Sequence, residues 1–115
     1  MATEADVRRI ALSLPGAYEH ASYNTTPSFR TKPRMFATVR DEGSIAVVWV
    51  ADEDEKRALI ASDSDRFTTT PHYDGHPIVL VRLGAVQADE LRELVTESWR
   101  LRAPGADVRE WDDGH

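Results

Sequence analysis

Histidine, tyrosine and aspartate crowd one short loop: His72, Tyr73, Asp74 and His76 lie within Thr70-Pro71-His72-Tyr73-Asp74-Gly75-His76-Pro77. Two imidazoles at this spacing would share one side of a helix and could hold a metal, but Pro71, Gly75 and Pro77 exclude a helix here. The spacing matches no recognised ligand pattern. The histidines are expected to hold the turn through hydrogen bonds to loop backbone, with no metal bound. No Gly-x-Ser-x-Gly elbow, phosphate-binding loop or dinucleotide fingerprint occurs, and the chain has no cysteine to act as nucleophile or ligand. Carboxylates are abundant, but they fall at helix starts and in the C-terminal stretch, where solvation accounts for them. The sequence therefore predicts no catalytic residue, no cofactor and no enzymatic activity. His72, Tyr73 and His76 stay as a candidate ligand-binding loop, because punctuation this dense fixes a loop's shape.

A second constellation is basic. Residues 24–40 contain Arg30, Lys32, Arg34 and Arg40 and no acid, although the chain carries a net charge of -6. A strand over 34–40 puts Arg34, Phe36, Thr38 and Arg40 on one face and Met35, Ala37 and Val39 on the other. A preceding strand groups Arg30 with Lys32 opposite Phe29, and Arg82 alternates with apolar residues in a later one. Such a face could hold phosphates on its cations and stack bases on Phe36 and Trp49. The competing reading is a solvated strand face whose charges keep the sheet soluble and block edge pairing.

The elements that position these residues follow from periodicity and punctuation. Thr3 is a helix N-cap with Asp6 three residues on; Val7, Ile10, Ala11 and Leu14 share one helical face, and Pro15-Gly16 ends the helix. Residues 17–27 read as an irregular connection. Strands are expected over 28–32 and 34–40 with a turn at Pro33, then a hairpin turn at 41–44 into a strand over 45–50. Asp52 caps a short helix reaching Ala61, and the acids behind it complement the helix dipole. Strands over 68–70 and 77–83 precede a helix over 87–102, whose stripe is Leu91, Leu94, Val95, Ser98 and Trp99. Pro104-Gly105 stops that helix, and residues 105–115 read as an acidic, mobile tail, leaving 1–104 as one domain.

The order α-β-β-β-α-β-β-α predicts a two-layer α+β fold, an antiparallel sheet with its helices on one face and the other face open. Apolar content of 41% and charged content of 30% describe a soluble globular chain. No apolar run is long enough to span a bilayer and no secretion signal opens the chain, so no membrane partner and a cytoplasmic location are expected.

Several motifs carry a family resemblance: Ala11-Leu12-Ser13-Leu14-Pro15-Gly16, Thr26-Pro27-Ser28-Phe29, Arg34-Met35-Phe36-Ala37, the loop from Thr70 to Pro77, Val79-Leu80-Val81-Arg82-Leu83, Glu90-Leu91-Arg92-Glu93-Leu94 and Ser98-Trp99-Arg100. In order and spacing they resemble the MmcQ/YjbR family of small bacterial proteins over residues 4 to 104. The resemblance implies a fold like that of type III secretion chaperones and a DNA-binding role, with no agreed catalytic residues or cofactor. Two expectations result. One is a non-enzymatic DNA-binding protein making sequence-nonspecific phosphate contacts through Arg30, Lys32, Arg34, Arg40 and Arg82. The other is a protein- or small-ligand-binding module using the open sheet face and the His72, Tyr73 and His76 loop. The sequence gives no oligomeric state.

Overall fold

The computed structural model describes residues 1–20, 26–32 and 34–114, and Ala21 by its backbone. The expected turn at Pro33, and residues 22–25 of the expected irregular connection, lie outside the described residues. The first helix, α1 (Glu4–Leu12), starts with a full capping box: Thr3 Oγ1 accepts from the Asp6 N–H while Asp6 accepts from the Thr3 N–H. Strands β1 (Tyr18–Ala21), β2 (Pro27–Arg30), β3 (Met35–Arg40) and β4 (Ile45–Trp49) follow, then α2 (Glu53–Ser62), β5 (Phe67–Thr68) and β6 (Ile78–Arg82). The chain ends in α3 (Ala88–Arg102) and α4 (Gly105–Gly114). All six strands form one antiparallel sheet in the order β1-β2-β3-β4-β6-β5. The fold is α+β, as the sequence predicts.

Alternation sorts the side chains. Phe29, Ala37, Val48 and Val79 lie in register across four strands, as do Val39, Ala46, Val81 and Phe67 one pleat further on. These rows are buried in one core with Val7 and Ile10 of α1 and Leu91, Val95 and Trp99 of α3. The removal of this apolar surface from water drives the helices onto the sheet. The opposite face is only partly open. Val47, Ile78 and Leu80 are buried there, packed with Ile45, Trp49 and Tyr73. Tyr73 reaches them from a single 3-10 turn (Pro71–Tyr73), so the histidine loop folds back over its own sheet.

Two elements depart from the expected order. The first part of the expected irregular connection is β1, an edge strand anchored by polar groups. Glu19 takes the Arg8 guanidinium of α1 at 2.8 Å, and the Ser28 hydroxyl donates to the His20 carbonyl at 3.1 Å. The expected tail is also helical. In α4, Val108 and Trp111 pack against the core, Trp111 meets Trp99 edge-on at 5.9 Å, and Asp112 pairs with Arg100. One helical turn separates Val108 from Trp111, so a mostly polar decapeptide still presents an apolar strip.

Candidate nucleic-acid interface

The β2–β3 corner is built by a residue the sequence reading passed over. Thr31 is buried, and both its N–H (2.8 Å) and its hydroxyl (3.3 Å) donate to the Arg34 carbonyl. That clamp closes the connection and leaves Lys32 and Arg34 exposed on either side of it. Arg30, the last residue of β2, opposes Met35 and is half-buried.

Phe36 is not on this surface. Arg30 pairs with Met35 and Phe29 with Ala37, so β3 has one extra residue, Phe36, in a bulge. The bulge breaks the alternation, and the ring is fully buried in the main core. Its carbonyl is reached by Ser98 of α3, whose hydroxyl donates to Phe36 and accepts from the Trp49 N–H at 2.8 Å. One buried hydroxyl thus joins β3 to β4 where the ladder opens.

Arg102, at the end of α3, completes the corner. Its Nε donates to the Met35 carbonyl at 3.0 Å, and its guanidinium lies over the Trp49 ring at 4.4 Å. Burial, and then the positive charge of Arg34, lowers the Arg102 pKa from its ordinary value. Two arginines therefore crowd each other with no acid between them. In the sequence, Arg102 is only the last residue of the helix over 87–102; its role depends on the register that brings Met35 and Trp49 together.

Arg40 and Arg82 sit elsewhere on the same face. Both oppose Ile45, at the far end of β3 and β6. Five strand steps from Met35 place this pair about 16 Å from the corner. Arg40 approaches Asp41 at 3.5 Å, while Arg82 is exposed and holds no carboxylate among the described residues. The expected five-residue basic face is thus two groups.

Pairing separates the corner from most other arginines. Arg8, Arg9, Arg57, Arg66 and Arg100 all hold carboxylates, whereas Arg30, Lys32, Arg34 and Arg102 hold none among the described residues. Acids gather next door: Glu55, Glu90, Glu93 and Glu97 line a groove of about 300 Å³ between α2 and α3, with Trp49 in its wall.

The histidine loop is pinned from beneath. Lys56 of α2 is buried, and its Nζ donates to the carbonyls of Tyr73 (2.8 Å) and His76 (3.0 Å). His72 and His76 are exposed, and His72 meets the half-buried Tyr73 edge-on at 4.9 Å. Among the described residues, no three imidazoles or carboxylates converge on one point.

A single antiparallel sheet backed by helices, with a corner of cations that hold no carboxylate among the described residues, defines a small α+β domain. The chain belongs to the YjbR family, whose model matches residues 12–101. It is 37% identical to the uncharacterised proteins Mb2600 of Mycobacterium bovis and Rv2570 of Mycobacterium tuberculosis, with 90% of this chain and 91% of each relative covered. In three dimensions it is similar to the crystal structure of Deinococcus radiodurans protein DR2400, which carries the family domain DUF419. The TM-score is 0.77 at 25% identity, over 97% of this chain and 89% of that one. Among the described residues, no helix is long and apolar enough to cross a membrane.

Proposed function

We propose that this chain is a non-enzymatic nucleic-acid-binding protein that holds phosphates, without regard to base sequence, at the corner formed by Arg30, Lys32, Arg34 and Arg102. The observation that carries this reading is that, among the described residues, these four cations have no carboxylate partner, in a chain whose other arginines are mostly matched by acids. Like charges held together without a counter-ion favour a polyanion, and a guanidinium stacked on Trp49 is held in place before the phosphate arrives. Arg40 and Arg82 lie too far along the strands to touch the same phosphates.

The test is fluorescence anisotropy of labelled single-stranded and duplex DNA, titrated between 50 and 200 mM salt. Three or four phosphate contacts give a slope of log K on log salt of about -3 to -4 for duplex. Arg34→Glu is expected to abolish measurable binding for every base sequence, whereas Arg92→Glu, on the exposed face of α3, leaves it unchanged. Binding that is insensitive to salt, or equal in both variants, would refute the reading.

A further inference from the structure

The far end of the same sheet face carries a groove of about 470 Å³, beyond the reach of the basic corner. One wall is the run Thr68, Thr69 and Thr70, and Ile45 and Leu80 give it an apolar side. Arg82 and Asp41 place opposite charges along it.

The threonines are poorly satisfied. Thr68 and Thr69 each reach the next residue's carbonyl only at 3.5 Å, the outer limit of a hydrogen bond. The Thr70 hydroxyl is buried and, among the described residues, has no hydrogen-bond partner. Native folds leave few buried hydroxyls unsatisfied, and each one left so calls for an explanation. The Arg82 guanidinium is likewise without a carboxylate among the described residues, although Asp41 lines the same groove and approaches Arg40 at 3.5 Å.

We infer that this groove binds a small hydroxylated anion, a phosphate monoester or carboxylate of a few carbons. Arg82 takes the anionic group in a two-pronged contact, the threonine hydroxyls take the ligand's oxygens, and Asp41 accepts from a ligand hydroxyl. Ile45 and Leu80 face the carbon frame. The volume falls within the usual span of small-molecule pockets. This site stands apart from the nucleic-acid reading, since none of its residues belongs to the basic corner, and either can fail alone.

The experiment follows backbone amide shifts of the full chain by NMR, titrated separately with glycerol 3-phosphate, D-glycerate, glycerol and a 5′-phosphorylated oligothymidylate. Saturable shifts at Ser44, Thr68, Thr69, Thr70 and Arg82 are expected with the two small anions and not with glycerol. Arg82→Gln is expected to weaken binding about tenfold or more, the loss of a charge-assisted contact. Thr70→Val keeps the shape and deletes the stranded hydroxyl. It is therefore expected to raise Tm while weakening the small anions about threefold to tenfold. A Thr70→Val variant with higher Tm and unchanged affinity would overturn the inference, as would small-anion shifts centred on Arg30, Lys32 and Arg34. Shifts at the groove with the oligothymidylate alone would give the site to nucleic-acid ends and end the small-ligand proposal.

Discussion

Replacing Ser98 by alanine removes a single oxygen on which two strands depend. The Ser98 side chain is fully buried; its hydroxyl accepts from the Trp49 N–H and donates to the Phe36 carbonyl. Alanine is a better helix former by about 0.5 kcal/mol, so α3 itself does not suffer. The two backbone groups do, because each is left buried without a partner at about 1–3 kcal/mol apiece. The net loss is about 2–5 kcal/mol, a large part of the ~5–15 kcal/mol that holds a domain together. At roughly 4 °C per kcal/mol for a chain of this length, Tm should fall by about 8–20 °C. Urea unfolding followed by circular dichroism reads the change as a shift in midpoint with an unchanged slope. The site should feel it too. Arg102 is anchored to Met35 on β3 and to Trp49 on β4, the two strands that Ser98 joins, so DNA affinity in Ser98→Ala should drop even at temperatures where the variant is folded. A loss below about 0.5 kcal/mol would mean that the strands close directly or through water, and that Ser98 does not bridge them.

Two further outcomes are expected. Lys56→Met keeps the stem and removes the ammonium that holds the Tyr73 and His76 carbonyls. It should cost about 1–3 kcal/mol and speed amide exchange across residues 71–77; unchanged exchange there would show that the loop holds itself. The pH dependence has a definite sign. Hydrogen bonds from Arg9, Arg8, Arg66 and Arg100 hold Asp6, Glu19, Asp63 and Asp112 below their ordinary values of 3.8 for aspartate and 4.5 for glutamate. Their contribution is therefore fully present above those values and is lost as pH falls through the lower folded ones. Thermal scans should give a Tm that falls between about pH 4 and pH 2, less steeply at about 1 M salt. A Tm that rises over that interval would contradict the ion-pair assignments.

The elements legible in the sequence are those whose own residues decide them. The Thr3 and Asp6 box, the stripe on α3 and the apolar runs of β4 and β6 need no partner to be recognised, and Asp52 caps α2 through the Glu55 N–H as expected. What escaped depends on distant neighbours. Tyr18-Glu19-His20 has no apolar alternation; it is a strand because Arg8 and Ser28 hold it there. The α4 helix exists because Trp111 finds Trp99, and no local signal marks that contact. The Phe36 bulge is the instructive miss. Period-two alternation is the right rule for a strand, but one extra residue turns the ring inward, and only the pairing of β2 with β3 reveals that residue. The basic stretch was visible as four charges, yet its division into a corner and a far pair rests on register, and Arg102 enters the corner from α3.

The same geometry limits how the corner can act. Trp49 carries Arg102 over its ring and also lines the groove of Glu55, Glu90, Glu93 and Glu97, so the positive surface ends within one side chain's width of a negative one. A polyanion laid across the corner runs into those glutamates if it extends past Trp49, and at physiological salt, where charges are felt over about 8 Å, that border is sharp. On the proposed nucleic-acid reading the footprint is therefore short, and the expected affinity is that of non-specific binders, at about 10⁻⁴–10⁻⁶ M. This is also why the net charge of -6 does not decide the question: among the described residues none of the acids pairs with the corner, and nine of the chain's twenty are held by other arginines. A salt slope steeper than about -6 would require more phosphates than the corner can reach. It would mean that Arg40 and Arg82 engage the same strand of nucleic acid, and the division of the basic face into two groups would have to be given up.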